Sequence, residues 1–392
     1  MLGTTFSPWP SFTEEEANAV RDVILSNKVN YWTGQETRQF EVEFAAWAGT
    51  EYAVALTNGT VALDLALIAL GIGKGDEVIV TSRTFLASVS SIVNAGAIPV
   101  FADVDRDSQN FTVRSIEAVL TPRTRALICV HLAGWPCDMD PIMELATQHD
   151  LKVIEDCAQA HGAHYKGRPV GSIGHIGAWS FCQDKIMTTG GEGGMVTTND
   201  RGLWSHMWAY KDHGKSWEAV YERSHAPGFR WLHESFGTNW RMMEVQAVIG
   251  RIQLGRMKDW QASRTNNLEA IWDTARHLPA LRVPDFPEGD VHAAYKCYVF
   301  VRQERLKEGW SRDRILSEIV SRGVPAFSGS CSEVYLEKAF DDTGLRPSQR
   351  LPNARELGET SMMFLVHPTL KASEIELTCK VLSDVMEQAS VQ

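Results

Sequence analysis

One stretch of the chain decides the fold class: TVALDLALIALGIGKGDEVIVTS, residues 60–82. Its first half follows Asn58-Gly59 and ends at a glycine, which is the start and stop pattern of a helix. Its second half, residues 76–82, contains the uninterrupted apolar run Val78-Ile79-Val80, which predicts a strand buried on both faces. A helix that leads into such a strand indicates a parallel sheet covered by helices.

The same alternation continues outward from this stretch, from about residue 50 to about residue 163. Strand-like runs are IPVFADVD, ALICVHLAG and LKVIEDCAQAHGA, and helical patterns separate them. The sequence therefore predicts an α/β fold with a mostly parallel central sheet between helices, whose ligands bind at the carboxyl ends of the strands. Five polar residues fall at that edge: Asp103, Asp105, His131, Asp156 and Lys185.

Beyond residue 240 the pattern changes to a long helical segment, a strand-like YKCYVFVRQ and two further helices. This order predicts a smaller C-terminal α+β domain that is joined through the long helix. We place the large domain at residues 1–255, with residues 1–15 packing on the small domain, and the small domain at residues 256–392. Residues 326–349 are rich in serine, glycine and charge, which predicts a mobile loop region.

Composition narrows the class of protein. The formal net charge of −11 argues against a nucleic-acid partner, which would need a basic face. Seven scattered cysteines without CxxC spacing indicate small buried residues in a reducing compartment, and we predict no metal site. The chain start does not resemble a signal peptide, and no apolar run reaches about 18 residues. We therefore expect a cytoplasmic protein that does not enter a membrane.

Two short motifs at the predicted sheet edge could carry chemistry. Asp156 follows a buried strand, so it either caps the next helix or holds a cationic ring nitrogen. Gln159 would face the same pocket if a helix begins there. Gly59 and Thr60 open a helix whose free N–H groups suit a phosphate, although most helix starts look similar.

Two further residues complete the set. Phe85 is either a core residue or an aromatic face at the same edge. Lys185 lies in WSFCQDKIMTTGGEGGMVTTND, residues 179–200, between two apolar runs and before four glycines. It is either solvated or, if buried, a nucleophilic amine that forms Schiff bases. An aldehyde cofactor with a phosphate, a pyridinium nitrogen and an aromatic ring would use all four features, which indicates pyridoxal 5′-phosphate.

Six motifs resemble one known family: NGTVALDLALIALGIGKGDEVIV, AGAIPVFADVD, EDCAQAHGA, YKGRPVGSIGHIGAWSF, TTGGEGGMVTTND and NWRMMEVQAVIGRIQL. The chain is similar, from about residue 10 to 385, to the sugar aminotransferases of the DegT/DnrJ/EryC1/StrS family. The resemblance implies the pyridoxal-phosphate-dependent transferase fold of type I. It implies that Lys185 binds the cofactor as a Schiff base and Asp156 binds its pyridine nitrogen. Further implied cofactor contacts are Gly59, Thr60 and Ser180 to the phosphate, Gln159 to the ring hydroxyl, Phe85 stacked on the ring, and Asn239 reaching the phosphate from the partner of a homodimer.

The activity that the resemblance implies is amino transfer from L-glutamate to a keto-sugar, for lipopolysaccharide, O-antigen or other cell-surface or secondary-metabolite amino sugars. A family subgroup that dehydrates sugars has histidine where this chain has Lys185, which favours amino transfer. Most relatives act on nucleotide-linked sugars. The alternative is a free keto sugar acid, such as an oxidised 3-deoxy-octulosonate that would give an 8-amino sugar.

The chain departs from the family pattern in three places, and the last two of them motivate that alternative. TTGGEGG has one more glycine than the common TTGEGG, GVPAFSGSCSEVY lacks a tyrosine–proline–histidine loop, and GTNW has Thr238 where tyrosine is frequent. The last two lie where substrate is expected. Candidate substrate contacts are Thr238 and the cations Arg83, Lys211, His213 and Lys215, some of which could equally be solvated surface charges. A sensory protein that binds the cofactor without turnover, and another fold-type-I reaction such as a lyase, are the remaining hypotheses.

Overall fold

The computed structural model describes residues 6–391. Its thirteen strands are β1 (Tyr52–Leu56), β2 (Glu77–Thr81), β3 (Ile98–Ala102), β4 (Thr124–Val130), β5 (Lys152–Asp156), β6 (His164–Tyr165), β7 (Arg168–Pro169), β8 (Ile176–Ser180), β9 (Gly194–Thr198), β10 (Leu281–Arg282), β11 (Cys297–Val301), β12 (Ala326–Phe327) and β13 (Ser361–Phe364). Its α-helices are α1 (Glu14–Leu25), α2 (Glu36–Trp47), α3 (Gly59–Ala69), α4 (Ala87–Asn94), α5 (Val113–Glu117), α6 (Met139–Gln148), α7 (Arg201–Tyr210), α8 (Glu244–Arg276), α9 (Arg312–Ser321), α10 (Pro352–Thr360) and α11 (Ala372–Ala389). Strands and helices thus alternate from β1 to β5, as predicted, whereas β5 to β9 follow one another without an α-helix between them.

The central sheet has seven strands in the order β1-β9-β8-β5-β4-β2-β3. Strands β3, β2, β4, β5 and β8 pair in parallel, and only β9 runs antiparallel to its neighbours β8 and β1. The predicted mostly parallel sheet is therefore confirmed. The carboxyl ends of β1, β2, β4, β5 and β8 lie at one edge, where the antiparallel β9 begins.

Strand β2 shows why this sheet needs helices on both faces. Val78 and Val80 pack into the core beneath α3, whereas Ile79 points the other way and packs with Ile142 of α6. All five residues of β2 are buried. A strand without a solvent face reads as a continuous apolar run, which is the pattern that predicted it.

The second sheet has four antiparallel strands in the order β10-β11-β13-β12, covered by α8, α9 and α11. Helix α8 contacts α1 and α2 with its first part and α11 and β11 with its second, so the predicted boundary at residue 255/256 falls inside one continuous helix. Near the chain start, Ser7 donates hydrogen bonds to Glu374 of α11, and Thr369 donates to the Pro8 carbonyl. Residues 1–5 of the predicted N-terminal contact lie outside the described residues.

Residues 326–349 contain little regular structure, yet they are held in place by buried anchors. Val334, Tyr335 and Phe340 are at most 5% exposed and pack into the core of the central sheet. The Val334 N–H also donates to the carbonyl of Ser82. The loop prediction holds, but the anchors argue against free motion of the whole segment. Among the described helices, none is both long and apolar enough to cross a membrane.

Candidate active site

The phosphate-binding prediction concerns the start of α3 and the end of β8, which the sheet brings together. Asn58 caps α3 by accepting a hydrogen bond from the Val61 N–H, at 3.0 Å. A Cβ placed on Gly59 would lie 2.5 Å from the Cβ of Ser180, so only glycine allows this approach. The N–H groups at the helix start and the Ser180 hydroxyl therefore form one cradle of donors, which suits a phosphate.

Asp156 ends β5 at the same edge, and its carboxylate is buried. Ser88 donates to one carboxylate oxygen at 2.7 Å and the Ala158 N–H donates to the other at 3.1 Å. No lysine or arginine of residues 6–391 lies within ion-pair distance. Burial raises the pKa of Asp156, while these hydrogen bonds and the nearby charge of Lys185 oppose the shift. A buried carboxylate without a cation suits a protonated ring nitrogen.

The helix on which the orientation of Gln159 was made to depend does not form: residues 158 and 159 lie in a turn, across which the Ala160 N–H donates to the Cys157 carbonyl. Its side-chain oxygen accepts from the Ala133 N–H at 2.9 Å, while the His131 N–H donates to the Asp156 carbonyl. One short segment, residues 131–133, therefore holds both Asp156 and Gln159. With its oxygen occupied, Gln159 retains an amide NH₂ that can donate to a ligand.

Lys185 follows β8, and its side chain is partly exposed rather than closed off. The Trp9 indole N–H donates to its carbonyl at 2.8 Å and its own N–H donates to the Cys182 carbonyl, so the backbone is fixed on both sides. Its Nζ lies 5.4 Å from the centre of the Tyr295 ring. Within residues 6–391 the ammonium group makes no ion pair, which leaves the amine available.

The glycines after Lys185 serve two separate purposes. Gly190 and Gly191 have φ of 86° and 124°, which turns the chain back toward β9. Gly193 and Gly194 instead allow close packing: a Cβ on Gly193 would lie 2.0 Å from Thr189 Oγ1, and one on Gly194 would lie 2.2 Å from the Asn58 carbonyl. Gly193 thereby allows the loop to pack on its own Thr189, and Gly194 brings the chain against the start of α3.

Phe85 and Asn239 are exposed in the single chain. Phe85 lies between β2 and α4 with 71% of its surface accessible, so the core interpretation of this residue is wrong. Asn239 closes a segment that also exposes three large aromatic side chains, Phe229, Trp231 and Phe236. Stacking by Phe85 and a phosphate contact from a partner's Asn239 stay predictions.

Two of the residues that were predicted to contact an anionic substrate, Arg83 and Lys211, are buried inside the chain. Arg83 is completely buried; its Nε donates to Gln109 at 2.9 Å and its Nη2 donates to Ser361 at 3.1 Å, which ties β2 to β13. Lys211 is also completely buried, 3.7 Å from Glu41. Its Nζ lies 3.6 Å from the centre of the Tyr31 ring. Neither side chain reaches the surface of the single chain, which argues against the predicted contacts with substrate; those contacts stay predictions.

The other substrate candidates lie beside one another on the surface. His213, which is exposed and has φ of 59°, donates its N–H to the carbonyl of Thr238 at 2.9 Å. Lys215 lies 3.5 Å from Asp212, with its Nζ 4.1 Å from the centre of the Trp32 ring. His213 and Thr238 remain accessible, and their contact with substrate stays a prediction.

Sequence reasoning missed three residues near Lys185. Ser88 binds Asp156 but sits inside an ordinary helical pattern, which offers no signal. His161 is buried between Trp179 and Phe181; burial and the charges of Lys185 and Arg264 lower its pKa to about 3, so it is neutral. Lys296 lies in a strand-like run, where a charged residue among apolar ones is a signal that could have been noticed.

A buried group behind β5 has side chains typical of a metal site: His131, Glu155 and Cys157. The Glu155 carboxylate, however, accepts from His131 Nε2 at 3.0 Å and from three backbone N–H groups of residues 171–174. His131 Nδ1 accepts from the Cys137 N–H at 2.9 Å. These hydrogen bonds occupy both ring nitrogens and both carboxylate oxygens, so the group fixes the ends of β4 and β5.

The fold and this arrangement agree with the comparison with known families. Residues 10–383 match the model of the DegT/DnrJ/EryC1/StrS aminotransferase family. The chain belongs to this family. The family depends on pyridoxal 5′-phosphate, and its members with solved structures have the same mostly parallel sheet between helices. The predicted fold type, cofactor and sugar aminotransferase activity are therefore confirmed, whereas the particular sugar and donor are not settled by the match.

Individual relatives show how far the likeness extends. GDP-perosamine synthase of Escherichia coli O157:H7 is 34% identical over 379 residues, 96% of each chain. The dTDP-3-amino-3,4,6-trideoxy-alpha-D-glucose transaminase of Streptomyces venezuelae is 33% identical over 378 residues, covering 96% of this chain and 93% of that protein. The X-ray structure of an aminotransferase from Psychrobacter cryohalolentis is 67% identical, with a TM-score of 0.97 and coverage of 98% and 99%.

Proposed function

We propose that this aminotransferase moves an amino group from L-glutamate to a keto-sugar carried on a nucleotide. The observation that carries the proposal is the unpaired amine of Lys185 at the sheet edge that also holds the buried carboxylate of Asp156. Relatives named for GDP-linked and dTDP-linked amino sugars support a nucleotide carrier. The product would be an amino sugar for lipopolysaccharide, another cell-surface polysaccharide or a secondary metabolite, made in the cytoplasm.

The residues at this edge of the sheet would have different roles toward the cofactor. Bound pyridoxal 5′-phosphate supplies an aldehyde for amines and a ring that takes up electrons from the substrate's α carbon. Gly59, Thr60 and Ser180 would hold the phosphate, and Asp156 would keep the ring nitrogen protonated. Lys185 would hold the cofactor through its amine, and the same amine would carry a proton to and from the α carbon of the substrate.

A homodimer would complete the site. The exposed side chains of Phe229, Trp231 and Phe236 form an apolar surface on the segment that ends at Asn239. Apolar surfaces of this kind are typical of protein contacts. A second copy that covers them would bring its own Asn239 toward the phosphate, as the family resemblance implies.

One observation favours a second candidate, a free keto sugar acid as the amino acceptor. Lys185, Lys296 and Arg264 lie around Tyr295, where Asp184 is the one carboxylate of residues 6–391 whose charge acts on Lys296. Such an excess of positive charge suits an acidic substrate. It accompanies the missing tyrosine–proline–histidine loop, which also distinguishes this chain from most nucleotide-sugar relatives.

The test is an absorbance titration of the holoenzyme with L-glutamate, followed by a panel of nucleotide-linked 3-keto and 4-keto sugars and an oxidised octulosonate. We expect glutamate to remove the yellow absorbance of the bound cofactor and one class of keto-sugar to restore it. Recovery with the octulosonate alone would replace the nucleotide-linked substrate by the free sugar acid. No spectral change with glutamate would contradict the proposed donor.

A further inference from the structure

Two lysine side chains, one of which is the proposed catalytic Lys185, lie near the aromatic ring of Tyr295. The Nζ of Lys296 lies 4.7 Å from the centre of the Tyr295 ring, and the Nζ of Lys185 lies 5.4 Å from the same centre. Lys296 precedes β11 of the second sheet, whereas Lys185 follows β8 of the central sheet. Tyr295 is 7% exposed and donates its hydroxyl hydrogen to Asp184. The two sheets therefore meet at this ring, with one lysine from each side.

A third cation lies behind this pair. Arg264 of α8 is 1% exposed, with its guanidinium carbon 5.0 Å from the centre of the Trp9 ring. Its Nη1 donates a long hydrogen bond of 3.4 Å to the Ala294 carbonyl. Nε and Nη2 are buried without a partner, and among the described residues no carboxylate forms an ion pair with Arg264. A buried charge in this state is costly unless an anion is brought near it.

The surrounding groups do not cancel this charge. His161 and His367 are neutral because burial, together with nearby cations, lowers the pKa of each to about 3. Asp184 supplies one negative charge, and it already accepts the Tyr295 hydrogen bond. Lys296 itself makes no hydrogen bond or ion pair within residues 6–391, although part of its side chain is exposed. A mobile ligand can therefore reach Lys296, whereas Arg264 is closed off.

We propose that Lys296 binds a carboxylate of the substrate, and that the buried charge of Arg264 behind it keeps the electrostatic potential of this subsite positive. The assignment rests on the proposed aminotransfer, because it supplies the carboxylate-bearing molecules that enter this pocket. Two sources share the chemistry: the amino donor L-glutamate and an acidic keto-sugar. Lys296 is a binding residue in either case, and Arg264 is a positioning residue. Burial lowers the pKa of Lys296 to about 8, as do the charges of Arg264 and Lys185.

Calorimetric titration of the holoenzyme tests this without turnover. The probes are glutarate, which has the carboxylates of glutamate but no amine, 3-deoxy-octulosonate as the acidic sugar, and glucose as a neutral sugar. In Lys296→Met we expect at least one acidic probe to bind about tenfold more weakly, since a hydrogen bond to a charged group is lost. Lys296→Arg should bind that probe within about threefold of wild type, because it keeps the charge.

Lys380→Met is the matched control, since Lys380 is exposed on α11 and makes no ion pair among the described residues. It removes the same charge and should bind every probe as wild type does. The melting temperature and the cofactor absorbance of Lys296→Met show whether this variant has kept its fold. If it has not, the test is to titrate Lys296→Arg and wild type with the same probes at rising pH.

The outcomes separate the sources. Weaker binding of glutarate alone assigns the subsite to the donor, and weaker binding of the octulosonate alone assigns it to the acceptor. Unchanged binding of both probes in Lys296→Met, or no binding of either by wild type, would overturn the inference. An enzyme that binds glutarate through Lys296 but does not transaminate would contradict the proposed function and leave this subsite standing.

Discussion

Two groups of candidate residues behave differently once the chain is folded. Asp156, Ser180 and Lys185 follow buried strands of the central sheet and meet at one edge of it. The cations predicted to contact substrate separate instead: Arg83 and Lys211 are buried within the chain, while His213 is on the surface. Asp156 and Lys185 were identified by position relative to strands and Ser180 by the family resemblance, whereas the second group was identified by charge and nearness in sequence.

This difference has a simple physical origin. The end of a parallel strand is a fixed place in space, because the hydrogen-bonded ladder sets where each strand stops. A charged side chain on a loop or helix has no such constraint, and long cationic side chains often pack against aromatic rings. Lys211 against Tyr31 and Lys215 against Trp32 are two instances here.

The largest effect should come from Lys185→Ala, which removes the amine that binds the cofactor and moves the proton. We expect the rate of amino transfer from glutamate to fall by at least about a thousandfold. Single-turnover absorbance measurements with glutamate check this. Lys380→Ala, a change of the same size on the exposed face of α11, should leave the rate intact. If Lys185→Ala kept the wild-type rate, this edge of the sheet could not be the active site.

The next effect should come from Asp156→Asn, which keeps the shape of the side chain and removes its charge. A neutral amide cannot keep the ring nitrogen protonated, so we expect kcat to fall by about a hundredfold or more. Ser88→Ala removes only one hydrogen bond to the same carboxylate and should cost less than about tenfold. Steady-state kinetics of the two variants check the ranking, and equal losses would mean that hydrogen bonding matters more than the charge.

Lys211→Met tests the second group, the cations that are buried within the chain. It leaves Glu41 buried without its cation, so we expect the free energy of unfolding to drop by about 3 kcal/mol. Urea unfolding measures the drop. The KM for either substrate should stay within about twofold, because the lysine does not reach the surface. Lys215→Met, at a partly exposed ion pair, should lower stability by less than about 1 kcal/mol. A large KM change in Lys211→Met would restore its predicted contact with substrate.

The smallest effect concerns pH and the carboxylate subsite. Only the protonated Lys296 attracts a carboxylate, and its pKa is lowered to about 8 by burial and by Arg264 and Lys185, with Asp184 opposing. Affinity for the carboxylate should therefore be full well below pH 8 and fall about tenfold by pH 9. Titrations with glutarate at several pH values check the sign. The same series in Lys296→Met should be flat over this range, and a rise in affinity with pH would contradict the assignment.

Much of the fold could be predicted from residues alone, as could the strand ends where the candidate site residues lie. The alternation around residues 60–82 predicts a buried parallel sheet, because apolar periodicity is a local property of the chain. The same reasoning placed Asp156 and Lys185 at strand ends, and the family resemblance gave them roles. Ser88, His161 and Lys296 were missed, since each lies in a different part of the chain and only the fold brings it near Lys185.

The sequence by itself determined the strand ends, and with them the edge of the sheet where the cofactor is expected. The length and burial of a strand follow from the pattern of neighbouring residues, which is a local property of the chain. Only the tertiary structure decided which charges face that edge. Arg83 donates hydrogen bonds to Gln109 and Ser361, which are distant in sequence, while Lys296 has no such partner among the described residues and lies beside Tyr295. Whether a charge is satisfied depends on partners that lie far away in sequence, and a packed interior brings them together or keeps them apart.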